Sequence, residues 1–496
     1  MKETWQPKPG NQLFRPRRIM LGRLRRVLGV PALFSIGYGD VGSSIYYGLG
    51  VVAVVALGAT PIALAIAGII YVFNALTYAE GSAMLPEGGG STSYARHGFN
   101  DFVGFFAGWA LMLSYIITMA IAAYTIPPYL AYFWPALSEP ATGTMVSMGI
   151  ILFLMVINVL GIRESSVMNI TFTVLDIVTQ LTLVILGAIL ILGPHPEVLF
   201  QNMFSQGNWP TAQNLVFGIA LAALCFTGVE SVSQHGEETR QPQKRMPQTY
   251  TLMVAAVLVL FAGISIVALS AMTPQLLGDP VNGWARDPVA GIVASLPSST
   301  LRSLFAPLIA VLAATILLMA TNTGLMSISR LGFNLTSHRQ FPAFLGRVHR
   351  RFRTPSMTII LFCLLSILVL APGLVNPNFF TDLGALYVFG SLLTFSLAHA
   401  AILSLRARKP ELPRPFKLRF NIEIKGREFP LSAILGLIAT TTIWAVVIII
   451  HPYSRWMGLI WMVIGFIIYY LYRRWKRIPL THYSPPPSRA GSNRKS

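Results

Sequence analysis

The sequence predicts an all-α integral membrane protein of about 12 transmembrane helices, and three observations predict it. Hydrophobic residues make up 54% of the 496 positions, charged residues only 11%, and the mean hydropathy is +0.62, which excludes an ordinary soluble globule. The apolar residues gather into runs of the roughly 20 residues that a helix needs to cross the ~30 Å hydrocarbon layer. Two of those runs, the first and the sixth, are interrupted at matching places, as an inverted repeat of five plus five helices requires.

In chain order the spans fall near 31–54, 59–83, 103–133, 143–161, 168–193, 210–234, 248–272, 300–328, 357–372, 377–404, 431–450 and 456–472. The even count puts both termini on one side. Residues 1–30 form a basic tail, 31–193 the first repeat, 210–404 the second, inverted one, 431–472 two added helices and 473–496 a second tail, disordered from Ser484. The first 30 residues lack a long apolar core, so the basic tail is not expected to be a cleaved signal peptide.

The net charge of +19 looks like a nucleic-acid signal until it is mapped. Of the 37 Lys and Arg, 34 fall in alternate inter-span regions and three on the other side, two between spans and Arg302 at the start of the eighth. That is the positive-inside pattern, which places both termini in the cytoplasm of a plasma-membrane protein and makes "RRFR" (350–353) and "RRWKR" (473–477) topology and lipid-headgroup contacts. No nucleic-acid partner is expected. Cys225 and Cys363 both lie in spans, so neither a disulfide framework nor a thiolate metal site is supported.

The first interruption is "GYGDVGSSIYYG", Gly37 to Gly48. Close helix packing explains glycines, but not Asp40: an acid at mid-membrane costs about 2.5 to 3.5 kcal/mol and makes sense beside a cation, a proton or a pore. The second is "AALCFTGVESVSQHGEETRQPQKRMP" (222–247), where the sixth span meets Gly228 and Glu230. Paired interrupted helices point to a midplane binding site, where half-helix N–H groups receive anionic groups and unwound carbonyls receive cations.

These stretches resemble the amino acid, polyamine and organocation (APC) superfamily of permeases over nearly the whole chain. "VGSSIYYGLG" (41–50), "YAEGSAMLPEGGGSTSYARHG" (78–98), "FTGVESVSQHGEETRQPQKRMP" (226–247), "NTGLMSISRLGFNLTSHRQFPAFLGRVHRRFRTP" (322–355) and "LRARKPELPRPFK" (405–417) carry the resemblance in order and at matching topology. It implies a LeuT-like 5+5 fold with discontinuous helices 1 and 6, and proton-coupled import of an amino acid or related amine by alternating access. Carried over, the backbone N–H groups of Gly42, Ser43 and Ser44 would take a substrate carboxylate. The carbonyls around Leu224 and Thr227 would take its amino group, with Phe226 and Gly228 completing the site, and Glu230 would stand at a gating or proton-linked position. The third glycine of the family's first-helix motif is Ser44 here, which tightens the carboxylate pocket. Leu224 replaces an aromatic common in exchangers, which argues against arginine-type exchange.

Two departures concern the coupling ion. Asp176 occupies the fifth-helix place where some proton-coupled members carry lysine. Either it carries a proton, it shares sodium with hydroxyls near Thr321 and Thr323, or it only ties neighbouring helices. "GDVGSSIYY" is also similar to the "GDxGTSPLY" signature of KUP-type potassium transporters, so proton-coupled potassium uptake is the alternative. Asp40, Asp176 and Glu230 are the candidate proton carriers. No organic cofactor is expected, only H+ or Na+ as coupling ion, and helices 11 and 12 could mediate a homodimer or contact lipid alone.

Other groups have plainer readings. Glu80 could reach water near a helix end. His97, His235 and His349 lie at or beyond cytoplasmic helix ends, where solvation is ordinary. "LPEGGGSTSYARHG" (85–98) fits a reentrant or gating loop as well as a flexible one. "DPVAGIVASLP" (287–297) is a short helical pattern suited to covering the site from outside. Trp109, Tyr115 and Tyr124 are expected to pack or anchor. GxxxxGK[ST], HExxH and GxSxG motifs do not occur, so ATP-driven transport, zinc proteolysis and serine hydrolysis have no support.

Overall fold

Apolar runs punctuated by proline set where each helix starts. In a computed structural model, which describes residues 26–161, 166–226, 228–349, 351–352, 354–376 and 379–481, proline occupies the first turn of many helices, where its missing N–H costs nothing. Most of the basic N-terminal tail, the tail expected to be disordered from Ser484, and Thr227 lie outside the described residues.

The chain opens with α1 (Val30–Ser43), α2 (Ile45–Ala56), α3 (Thr60–Met84), α4 (Ser91–Gly98), α5 (Asp101–Leu130), α6 (Pro140–Leu160) and α7 (Ser166–Gly187). It continues through α8 (Pro196–Phe204), α9 (Ala212–Ala222), α10 (Val229–Ser233), α11 (Pro242–Ala271), α12 (Pro274–Gly278) and α13 (Pro288–Ala294). The remainder is α14 (Ser299–Ser337), α15 (Ser356–Leu370), α16 (Phe379–Arg408), a hairpin of β1 (Asn421–Ile424) and β2 (Arg427–Pro430), then α17 (Leu431–Ile450) and α18 (Pro452–Trp475).

Eleven apolar helical stretches among the described residues are long enough to cross a membrane. The first, Val30–Met84, runs 55 residues and reverses at Leu57, where φ is 46°, so it holds two crossings and the total is twelve. Helix α5 is buried along nearly its whole length and packs on α14, α16, α6 and α4. Asn100 caps it, accepting from the Val103 N–H at 3.0 Å. α17 and α18 lie on the flank against α16, α3, α9 and α5, with most side chains facing outward. α18 is held by a stacked pair, Trp109 on Trp461 at 4.4 Å, whose indole N–H groups donate to each other's backbone carbonyls at 2.7 and 2.8 Å.

Three features differ from the sequence reading. The eighth span extends to Ser337, beyond the expected 328. The loop after α16 contains a hairpin, closed by Lys425 and Gly426 at φ 53° and 72°, the mirror-image turn that suits twisted strands. Glu80 does not reach water: it is fully buried and takes a bidentate ion pair from Arg406 at 2.8 and 2.7 Å, with the Leu418 N–H adding a third donor at 3.1 Å.

Candidate functional site

The sixth span breaks in the middle. α9 ends at Ala222, the backbone tightens to a single turn over Ala223–Cys225, Phe226 leaves helical torsion, and Gly228 opens α10 at φ 91°. A side chain at Gly228 would be strained, and its Cβ would lie 2.5 Å from the Gly37 carbonyl oxygen, so the glycine both turns the chain and seats the break on α1.

The first span is interrupted far less than its glycine count suggests. Only Ser44 separates α1 from α2, and it keeps helical torsion (φ −66°, ψ −19°), its N–H donating to the Val41 carbonyl at 3.2 Å. The neighbouring glycines serve close approach. A Cβ on Gly37 would strike Met253 and Val232, one on Gly48 would strike Cys225, and one on Gly50 the backbone of Ala285. Gly42 abuts the ring of Tyr38 in its own helix. The Ser43 hydroxyl donates to the Asp40 carbonyl at 2.7 Å, and Ser44 contacts the same carbonyl at 3.4 Å and the Tyr47 hydroxyl at 3.0 Å.

The two breaks meet through side chains. Ser231 on α10 donates to Asp40 Oδ2 at 2.5 Å, and its neighbour Glu230 accepts from the Tyr387 hydroxyl at 3.3 Å. Asp40 and Glu230 lie within electrostatic range of each other, and Tyr71, Tyr115 and Tyr387 lie within range of both. Glu230 Oε2 and the Tyr71 hydroxyl are buried without a hydrogen-bond partner among the described residues. Such atoms call for a water, an ion or a polar cargo group. Leu224 and Phe226 are buried beside them, the Phe226 ring 5.5 Å from Tyr71 and 5.1 Å from Phe261.

Asp176, on α7, is drawn to α1 and α2 instead. Tyr38 donates to Oδ2 at 2.9 Å and Tyr46 to Oδ1, so both carboxylate oxygens are engaged by hydroxyls from opposite sides of Ser44. Thr321 turns its hydroxyl to the Leu317 carbonyl at 2.8 Å, and Thr323 faces Gly39 of α1.

Both ends of this region are covered. On the face that carries the basic loops, Gly88–Gly90 and the buried α4 pack against Ser233, Gln234 and Asn334, and the Asn334 amide donates to the Gly88 carbonyl. Glu87 anchors the loop. Burial alone would raise its carboxyl, but the hydrogen bond and charge of His97 and the charge of Arg96 outweigh burial and hold it at about 2. His235 is buried here too, contrary to the solvated reading. It accepts no water-facing role: Nδ1 contacts the Ser231 carbonyl at 2.8 Å, Nε2 meets Arg330, and burial with the Arg330 charge holds its imidazole well below the ordinary range. On the opposite face α13 is buried, and Ala285 closes over Gly50.

Tyr71, Tyr387 and the Tyr38–Tyr46 pair were not singled out from the sequence, because a tyrosine inside an apolar run reads as packing. Ser231 follows Glu230 directly in the Gly-x-Glu-Ser stretch, which was its available signal.

A twelve-crossing helical bundle with a polar break at its centre defines the class: a membrane transporter, not an enzyme. The chain belongs to the amino acid permease family, whose model matches residues 28–471, and its fold is the LeuT-like all-α fold of the APC superfamily. It is 26% identical over 472 residues to the branched-chain amino acid permease BcaP of Bacillus subtilis, covering 91% of this chain and 94% of that one. It is 27% identical over 477 residues to the methylthioribose transporter of the same organism, with the same coverage. The human large neutral amino acids transporter small subunit 2 is 24% identical over 424 residues, covering 84% and 74%.

Proposed function

We propose that this transporter imports a neutral amino acid with an apolar side chain, coupled to protons, across the plasma membrane, with the basic face and both termini in the cytoplasm. The observation that carries the reading is Glu230. It is a buried carboxyl at the first turn of α10, beside Asp40, with one oxygen unpartnered among the described residues. An intramembrane acid beside a helix break is a coupling device by default.

In this reading the α1–α2 junction at Gly42, Ser43 and Ser44 unwinds to take the substrate carboxylate, freeing N–H groups that the closed helix pairs, as the Ser44 N–H is with Val41. Leu224 and Thr227 offer carbonyls to the amino group, and Phe226, with Tyr71 and Phe261, receives the side chain. Glu230 carries the proton. Asp40, tied to Ser231, links proton loading to the relative position of the two interrupted spans. Residues 31–193 and 210–404 are the two repeats that rock against each other around this point. The likeness to branched-chain and large neutral amino acid transporters supports the substrate class. The methylthioribose transporter supports a second reading, a neutral cargo without carboxylate or amine.

The test is accumulation in proteoliposomes under an inward proton gradient, with labelled leucine, methylthioribose and rubidium in parallel. Leucine accumulation that a protonophore abolishes, and that Glu230→Gln loses while retaining leucine exchange, is the expected result. Rubidium accumulation without leucine would replace the reading with potassium uptake. Methylthioribose accumulation alone would replace the substrate.

A further inference from the structure

Two cavities meet beside the start of α1. One, of about 430 Å³, is an apolar groove on the outer surface between α1, α7 and α11, lined by Phe34, Ile170, Val174, Leu252 and Ala255. The other, of about 420 Å³, is walled by Gln241, Lys244, Arg245 and Gln248. Val30 and Pro31 line both, so the two adjoin as a trough that is apolar on one side of these residues and basic on the other. We propose that this trough is a binding site for one anionic phospholipid, with an acyl chain in the groove and the phosphate between Lys244 and Arg245.

The chemistry at each end fits that occupant. The groove surface is almost wholly apolar, Ser35 and Thr173 being its hydroxyl-bearing lining, and it runs between helices long and apolar enough to cross a membrane. At the basic end no ion pair holds Lys244 or Arg245 among the described residues, and Glu238 is taken by Arg330 at 2.9 Å. Both cations sit in the first turn of α11, at the positive end of its dipole. The end wall is built, not loose. Val27 and Leu28 donate to the Glu238 carbonyl at 2.9 and 3.0 Å, Arg240 donates back to Leu28 at 3.0 Å, and a Cβ on Gly29 would lie 3.2 Å from Arg245 Nη1. A soluble anion would use the basic end and leave the groove empty; a zwitterionic lipid would use the groove and gain little from the charges. An anionic lipid uses both.

The test is native mass spectrometry of the purified full-length protein titrated with phosphatidylglycerol and with phosphatidylcholine of the same chains. Wild type is expected to hold one phosphatidylglycerol in preference to phosphatidylcholine. Lys244→Gln with Arg245→Gln is expected to weaken it about thirty-fold, the weight of two basic side chains at an anionic surface. Ala255→Trp, which fills the exposed groove without touching the core, is expected to displace it as well. Arg419→Gln with Lys425→Gln, an equal charge loss at exposed positions elsewhere on the same face, is expected to leave it in place. Equal binding of the two lipids, equal weakening by the two double variants, retention by Ala255→Trp, or displacement by glycerol phosphate alone would each overturn the proposal.

Discussion

Asp176 shows how one residue can be chemically conspicuous yet structurally occupied. Both of its oxygens accept from tyrosines on either side of Ser44, so it pins α1 and α2 to α7. Hydrogen bonds to a charged group contribute about 1.5 to 3 kcal/mol each. Asp176→Asn, which turns an amide toward one tyrosine donor, is expected to lower stability by about 1 to 3 kcal/mol. The pH profile of leucine uptake should persist; a flattened profile would move the proton from Glu230 to Asp176. A second residue-scale prediction concerns Asp287, outside the spans. Burial raises its carboxyl to about 7 against the lowering charge of Arg286. The folded state therefore holds this proton more tightly than the unfolded state. Its contribution to stability is full below the ordinary carboxyl value of 3.8 and is lost as pH rises through about 7. Melting temperature measured across that window should fall less for Asp287→Asn than for wild type. Asp40, Asp176 and Glu230 were visible in the sequence as acids inside apolar runs. Their partners were not, since Tyr46 is 130 positions from Asp176 and Ser231 is 191 from Asp40.

At the scale of elements, apolar run length and proline placed the helices well, because in a bilayer each span must satisfy its own backbone. The Gly228 break was legible for the same reason. The first break is shorter than its glycines suggest: glycine serves unwinding and close packing alike, and Gly37, Gly48 and Gly50 are contact points. The hairpin after α16 was missed because four-residue strands leave almost no alternating pattern. In the sequence Glu80 reads as an acid near water, because its partner lies 326 residues away, on α16. That pair holds α3, α16 and the 410–420 segment together, with side chains 4% and 0% exposed. Removing one member of a buried pair costs about 3 to 5 kcal/mol, since the other is left uncompensated. Arg406→Met should therefore destabilise the protein by the lower end of that range in a thermal or denaturant assay, since Arg414 remains 3.8 Å from Glu80. Adding Glu80→Gln should restore part of the loss, and strictly additive losses would contradict the direct pairing.

For the whole molecule, the structure is closed at both ends around the meeting of the two interrupted spans. Gly88–Gly90 and α4 seal the basic face, while Ala285 and α13 seal the other. A carrier needs one such seal to open at a time, and a closed centre holding Glu230, Asp40 and a ring of tyrosines is the arrangement from which either opening starts. In the proposed mechanism cargo and proton move together through this centre. The deciding measurement uses a pH-sensitive dye sealed inside proteoliposomes with the membrane potential clamped, leucine being added outside. Acidification of the lumen on adding leucine, absent in Glu230→Gln, is the predicted result. A lumen that stays at constant pH while labelled leucine enters, or one that acidifies with rubidium and not with leucine, would contradict the account.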